Sequence, residues 1–72
     1  MTESQREVAQ FIATFTAQHG YAPTYREISA ATGRAISAIS RYMRRFEAEG
    51  YITRAGRQSR TVRLTSNGWA AL

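Results

Sequence analysis

PTYREISAATGRAISAISRYMRRFEAEGYI, residues 23–52, contains two helix starts, two helix stops and a change of period in one run. Thr24 and Glu27 stand as T-x-x-E, a capping box in which each side chain satisfies the other residue's backbone N–H. Pro23 holds the preceding chain extended. A short helix then runs to about Thr32, with Ile28 as its chief core residue, and Gly33 ends it. After a turn of three or four residues, a further helix runs from about Ile36 to about Glu49. Its apolar stripe is Ile36, Ile39, Met43 and Phe46, spaced 3, 4, 3, and Gly50 closes it.

Upstream, Val8, Phe11, Ile12 and Phe15 form one stripe of a 3.6-residue period, predicting an amphipathic helix over about residues 3–19. Thr2 caps it with Gln5 as box partner, and Gly20 stands at its C′ position. Downstream of Gly50 the period falls to 2. Residues 51–54 read as a strand, 55–59 as a loop and 60–64 as a half-buried strand, a hairpin with a short, basic tip. Thr65 caps a short terminal helix from Ser66 to Ala71, followed closely by Leu72 and carrying Trp69. Helix, helix, helix, hairpin, short helix is the order of a winged helix-turn-helix. The expected class is therefore mainly α with a small α+β element: three helices, a two-stranded wing and a short C-terminal helix.

Seventy-two residues suffice for one domain, 1–72, with a single modest core, and 43 % apolar content excludes a disordered chain. Without cysteine, neither disulfides nor thiolate metal sites can supplement that core. One histidine, no aspartate and no lysine leave no plausible catalytic constellation, so no enzyme activity, cofactor or small-molecule substrate is expected. The absence of an 18-residue apolar run and of a leader pattern argues against membrane association and for the cytoplasm, at the nucleoid.

The charge is one-sided. All ten cations are arginines, and eight follow Gly33. Residues 1–33 carry Arg6 and Arg26 against Glu3, Glu7 and Glu27, net −1; residues 34–72 carry eight arginines against Glu47 and Glu49, net +6. A domain with one basic half suits a polyanion, because each arginine set on a phosphate releases a condensed counterion. Arginine's planar fork also fits the guanine edge.

Helix-turn-helix geometry places the N-terminal half of the last long helix at base edges. Ser37, Ala38, Ser40 and Arg41 are the candidates for base contact. Three small side chains admit a close approach, Arg41 can take a guanine bidentately, and Ala38 can meet a thymine methyl. Arg44 and Arg45 suit phosphates, as do Thr24 and Arg26 at the N-terminus of the capped helix. Arg54, Arg57 and Arg60 on the hairpin suit the backbone or the minor groove. His19, at a helix C-terminus where a cation is mildly favoured, reads as structural, and Tyr21, Tyr42 and Tyr51 as aromatics at the rim of the core. Trp69 reads as a cover for the core's end or, with Leu72, as an anchor for a homodimer.

Three segments resemble the N-terminal DNA-binding domain of the LexA repressor family: residues 2–8, Pro23 to Ile28, and Arg41 to Ile52. The likeness spans about residues 2–64. It implies a winged helix that binds double-stranded DNA through its third helix, commonly as a repressor, and by position it puts Ser37, Ala38, Ser40 and Arg41 where bases are read. The turn after Gly33 is one residue shorter than the family pattern, and Thr32 stands where an apolar residue is usual. Serine and arginine replace acidic side chains on the third helix, so the operator need not be the family's. A peptidase domain with its self-cleavage, and a C-terminal dimerisation domain, are not among these residues. The segment 64–69 resembles the end of stand-alone winged-helix regulators.

The expected function is sequence-specific binding of double-stranded DNA in transcriptional regulation, with a homodimer as one route to sufficient specificity. Sequence-neutral DNA binding and docking onto an acidic protein are the alternatives.

Overall fold

A computed structural model describes residues 1–54 and 62–72. The elements are α1 (Glu3–His19), α2 (Tyr25–Thr32), α3 (Ile36–Ala48), β1 (Ile52–Thr53), β2 (Arg63–Leu64) and α4 (Ser66–Ala70). This is the winged helix-turn-helix order, with β1 and β2 antiparallel and Ile52 opposite Leu64. Among the described residues the strands are shorter than the alternation predicts. The tip of the expected wing, with Arg57 and Arg60, lies outside the described residues.

Local chemistry accounts for the helix ends. In both capping boxes the threonine hydroxyl accepts from the N3 backbone while the N3 side chain accepts from the threonine N–H. Thr2 pairs with Gln5 at 3.2 and 3.1 Å, and Thr24 with Glu27 at 3.1 and 2.8 Å. Gly33 ends α2 with φ 72°, a left-handed conformation costly for a residue with a side chain. The turn to α3 is Gly33, Arg34 and Ala35. Ser29 braces it by donating from its hydroxyl to the Arg34 carbonyl at 2.6 Å. Thr32 satisfies its hydroxyl on the Ile28 carbonyl at 2.7 Å, which lets a polar residue stand at that position.

One cluster holds the elements together: Val8, Ala9 and Ile12 of α1, Ala22, Ile28 of α2, Ile39, Met43 and Phe46 of α3, Ile52, and Val62. The apolar stripes are nearly as expected, with corrections at their ends. Ile36, expected in the core, is 46 % exposed. Its rotation about the α3 axis is suitable, but it is the first residue of the helix, one turn before Ile39, and lies outside the buried cluster. Phe11 and Phe15 are only partly buried, and Ala9 and Ala13 take the inner positions of α1 instead. The α1–α2 approach thus fits small side chains and leaves the rings at the edge. There Phe15 contacts His19 (ring centroids 4.2 Å) and Tyr21 (5.8 Å). Tyr21 is exposed rather than set on the core rim, whereas Tyr42 and Tyr51 pack against the core as expected.

The C-terminal segment folds back over the strands. Thr65 caps α4 by accepting from the Gly68 N–H, and its own hydroxyl donates to the Gly50 carbonyl at 2.6 Å. Gly68 is a packing requirement, because a Cβ there would strike the Tyr51 carbonyl oxygen. Leu72 packs against the core, while Trp69 is 49 % exposed and does not cover the core's end.

Candidate nucleic-acid interface

The geometry of α3 is anchored by what it buries. Ile39, Met43 and Phe46 are at most 1 % exposed, so the rotation of the helix about its axis is set by the core. At 3.6 residues per turn the opposite ridge carries Ser37, Arg41 and Arg44, all exposed. Ala38 and Ser40 lie on opposite flanks of that ridge and are accordingly half-buried. The base-contact candidates therefore divide into an outward pair, Ser37 and Arg41, and two flanking small residues. Exposed Ile36 precedes them at the head of the helix, on the flank shared with Ser40 and not on the ridge itself.

Ion pairs sort the arginines further. Arg45 donates from Nε to Glu49 at 2.7 Å along α3. Arg54 donates from Nη2 to Glu47 at 2.9 Å and from Nη1 to the Tyr25 hydroxyl at 2.8 Å. These partners, the hydrogen bond to Glu47 first, raise the Arg54 pKa above the ordinary arginine value, so its charge is constant at all working pH. Arg34 reaches Glu7 on α1 at 3.3 Å, while its Nε is buried without a partner among the described residues. Arg26, Arg41 and Arg44 are exposed and form no ion pair among the described residues. The arginines of the helix pair that form no ion pair among the described residues thus sit in the first turn of α2, beside Glu27, and along the outward ridge of α3.

Thr24 lies beside Arg26. Its oxygen already accepts the Glu27 N–H, which leaves the hydroxyl proton able to donate. At the head of α3 the N-cap residue is Ala35, which supplies no side-chain bond to the first turn. The role of Arg34 as a tie between the turn and α1 escaped the sequence reading, because its partner is 27 residues away. Among the described residues no His, Cys, Asp and Glu group could hold a metal ion, and no helix is long and apolar enough to cross a membrane.

A short three-residue turn between two helices, a basic outward ridge on the second and a small antiparallel sheet define a winged helix-turn-helix protein. The sequence model of the LexA DNA binding domain matches residues 1–61, and the chain belongs to that family. It is 39 % identical over 70 residues to LexA repressor 1 of Nocardia farcinica, covering 93 % of this chain and 32 % of the relative. It is 38 % identical over 64 residues to the LexA repressor of Sorangium cellulosum (88 % and 28 %), and 34 % over 68 residues to that of Staphylococcus carnosus (93 % and 33 %). The chain spans about a third of the length of these relatives.

Proposed function

We propose that these 72 residues act as one domain that binds double-stranded DNA sequence-specifically, as the reading module of a transcriptional repressor. The observation that carries this is the ridge of Ser37, Arg41 and Arg44. It is exposed, unneutralised by any ion pair among the described residues, and held outward by a fully buried opposite face. Placed in the major groove, Arg41 donates to a guanine edge, and Ser37, Ala38 and Ser40 allow close approach. Ile36 adds an apolar surface suited to a thymine methyl. Arg44, Arg45, Thr24 and Arg26 serve the phosphates, and Arg57 and Arg60 extend that role by their charge.

One such helix reads few base pairs, so useful specificity favours two copies on adjacent half-sites, with exposed Trp69 as the contact candidate. Leu72, already packed on its own core, contributes less. The reading carries no catalysis, small-molecule substrate or cofactor, and it places the chain in the cytoplasm at the nucleoid. Selection from a randomised duplex library at physiological salt tests it. An enriched motif supports specific reading, and paired half-sites support the homodimer. Salt-sensitive retention without enrichment would replace specific reading with sequence-neutral binding. No retention would favour an acidic protein partner.

A further inference from the structure

The two helices of the helix-turn-helix are joined by the chain at one end only, through Gly33, Arg34 and Ala35. At the opposite end, the start of α2 and the last turn of α3 are joined by a side chain from a third element. Arg54, just after β1, donates from Nη1 to the hydroxyl of Tyr25, the first residue of α2, and from Nη2 to Glu47 of α3. Tyr25 also packs its ring against the core. A guanidinium is one rigid planar fork, so the two bonds fix both partners relative to each other as well as to Arg54. Tyr25 stands between Thr24 and Arg26, and Glu47 is one turn beyond Arg44.

We propose that Arg54 is a positioning residue for DNA recognition. It holds the first turn of α2 at a set distance from the end of α3, so that phosphate contacts at the former and groove contacts by the latter are made together. The inference rests on the DNA-binding reading above, and it replaces the expectation that Arg54 contacts a phosphate itself. Two features support it. Glu47 already balances the Arg54 charge, so the guanidinium adds little net attraction for a polyanion. The Tyr25 hydroxyl, a neutral acceptor, supplies direction rather than charge.

The size of the effect is bounded by the strength of the brace. Both members of the ion pair are partly solvated, at 31 % and 43 % exposure, so losing the restraint changes a binding constant only about three- to fivefold. The test compares wild type, Tyr25→Phe, Arg54→Gln and the double variant on a fluorescein-labelled duplex from about 50 to about 200 mM salt, with thermal unfolding alongside. Tyr25→Phe deletes the acceptor and moves no charge. Each single variant is expected to bind about three- to fivefold more weakly with an unchanged slope of log affinity against log salt. The double variant should be no weaker than Arg54→Gln, and unfolding midpoints should fall by only a few degrees, leaving every variant folded at the assay temperature.

A slope flattened by about 0.9 in Arg54→Gln, with Tyr25→Phe like wild type, would make Arg54 a direct phosphate ligand and overturn the proposal. Affinity losses that merely track the unfolded fraction would overturn it in favour of a general stabilising role. Failure of wild type itself to bind any duplex would instead overturn the DNA reading, and the proposal with it.

Discussion

Arg45 and Glu49 close an ion pair of 2.7 Å on the outer surface of α3, one turn apart and with the arginine N-terminal to the acid. This is the weaker of the two helical orientations, and Arg45 is 66 % exposed, so the pair contributes at most about 0.5 kcal/mol to stability. Its larger consequence is electrostatic. It partly neutralises an arginine adjoining the ridge proposed to meet DNA.

Glu49→Gln should therefore leave folding almost unchanged while strengthening DNA binding. The expected signs are tighter binding at low salt and a salt slope steeper by up to about 0.9, one further phosphate contact. Fluorescence anisotropy across a salt series measures both. Unaltered affinity and slope would show that Arg45 lies away from the DNA.

Arg41 and Arg44 share one ridge but are assigned different work, which paired alanine variants separate. Arg41→Ala should reduce preference between related sequences by about 1–3 kcal/mol, because it removes a base-edge contact. Arg44→Ala should weaken all duplexes alike and flatten the salt slope by about one. Competition binding with a motif-bearing and an unrelated duplex distinguishes the two, and equal losses on every sequence from both would contradict direct readout by Arg41.

Thr24 caps α2 through the reciprocal bonds with Glu27, so Thr24→Ala should lower stability by about 1 kcal/mol. For a domain of this size that is a fall of about 4–8 °C in Tm, readable by circular dichroism. Thr24→Ser, which keeps the acceptor oxygen, should lose little.

Gly68→Ala tests the docking of α4. The added methyl meets the Tyr51 carbonyl and the Leu64 side chain, and the backbone carbonyl cannot rotate away cheaply. A loss of about 1–3 kcal/mol is expected, as for overpacking elsewhere. Alanine at the neighbouring exposed Asn67 should be nearly neutral by the same thermal assay.

What was legible in the sequence was what is local. Both capping boxes act between positions i and i+3, the helix-ending glycines act on their own backbone, and the stripe of Ile39, Met43 and Phe46 follows from one period. Periodicity specifies rotation about a helix axis but not whether a neighbour covers a given turn. Ile36 and Phe15, near helix ends, were for that reason assigned more burial than they have. The division of the arginines was hidden for another reason. Arg54 meets Tyr25 across 29 residues and Arg34 meets Glu7 across 27, and no local pattern announces such pairs. Charge counting located the basic half of the chain; tertiary pairing determined which of its described arginines stay uncompensated.

The face of α3 is the central claim, and amide chemical-shift mapping on the ¹⁵N-labelled chain during titration with a duplex tests it most directly. The largest perturbations are expected at Ser37, Arg41 and Arg44 and at the first turn of α2, with the acidic first turn of α1 unmoved. Perturbations centred instead on Tyr21 or Trp69, with the α3 ridge silent, would contradict it.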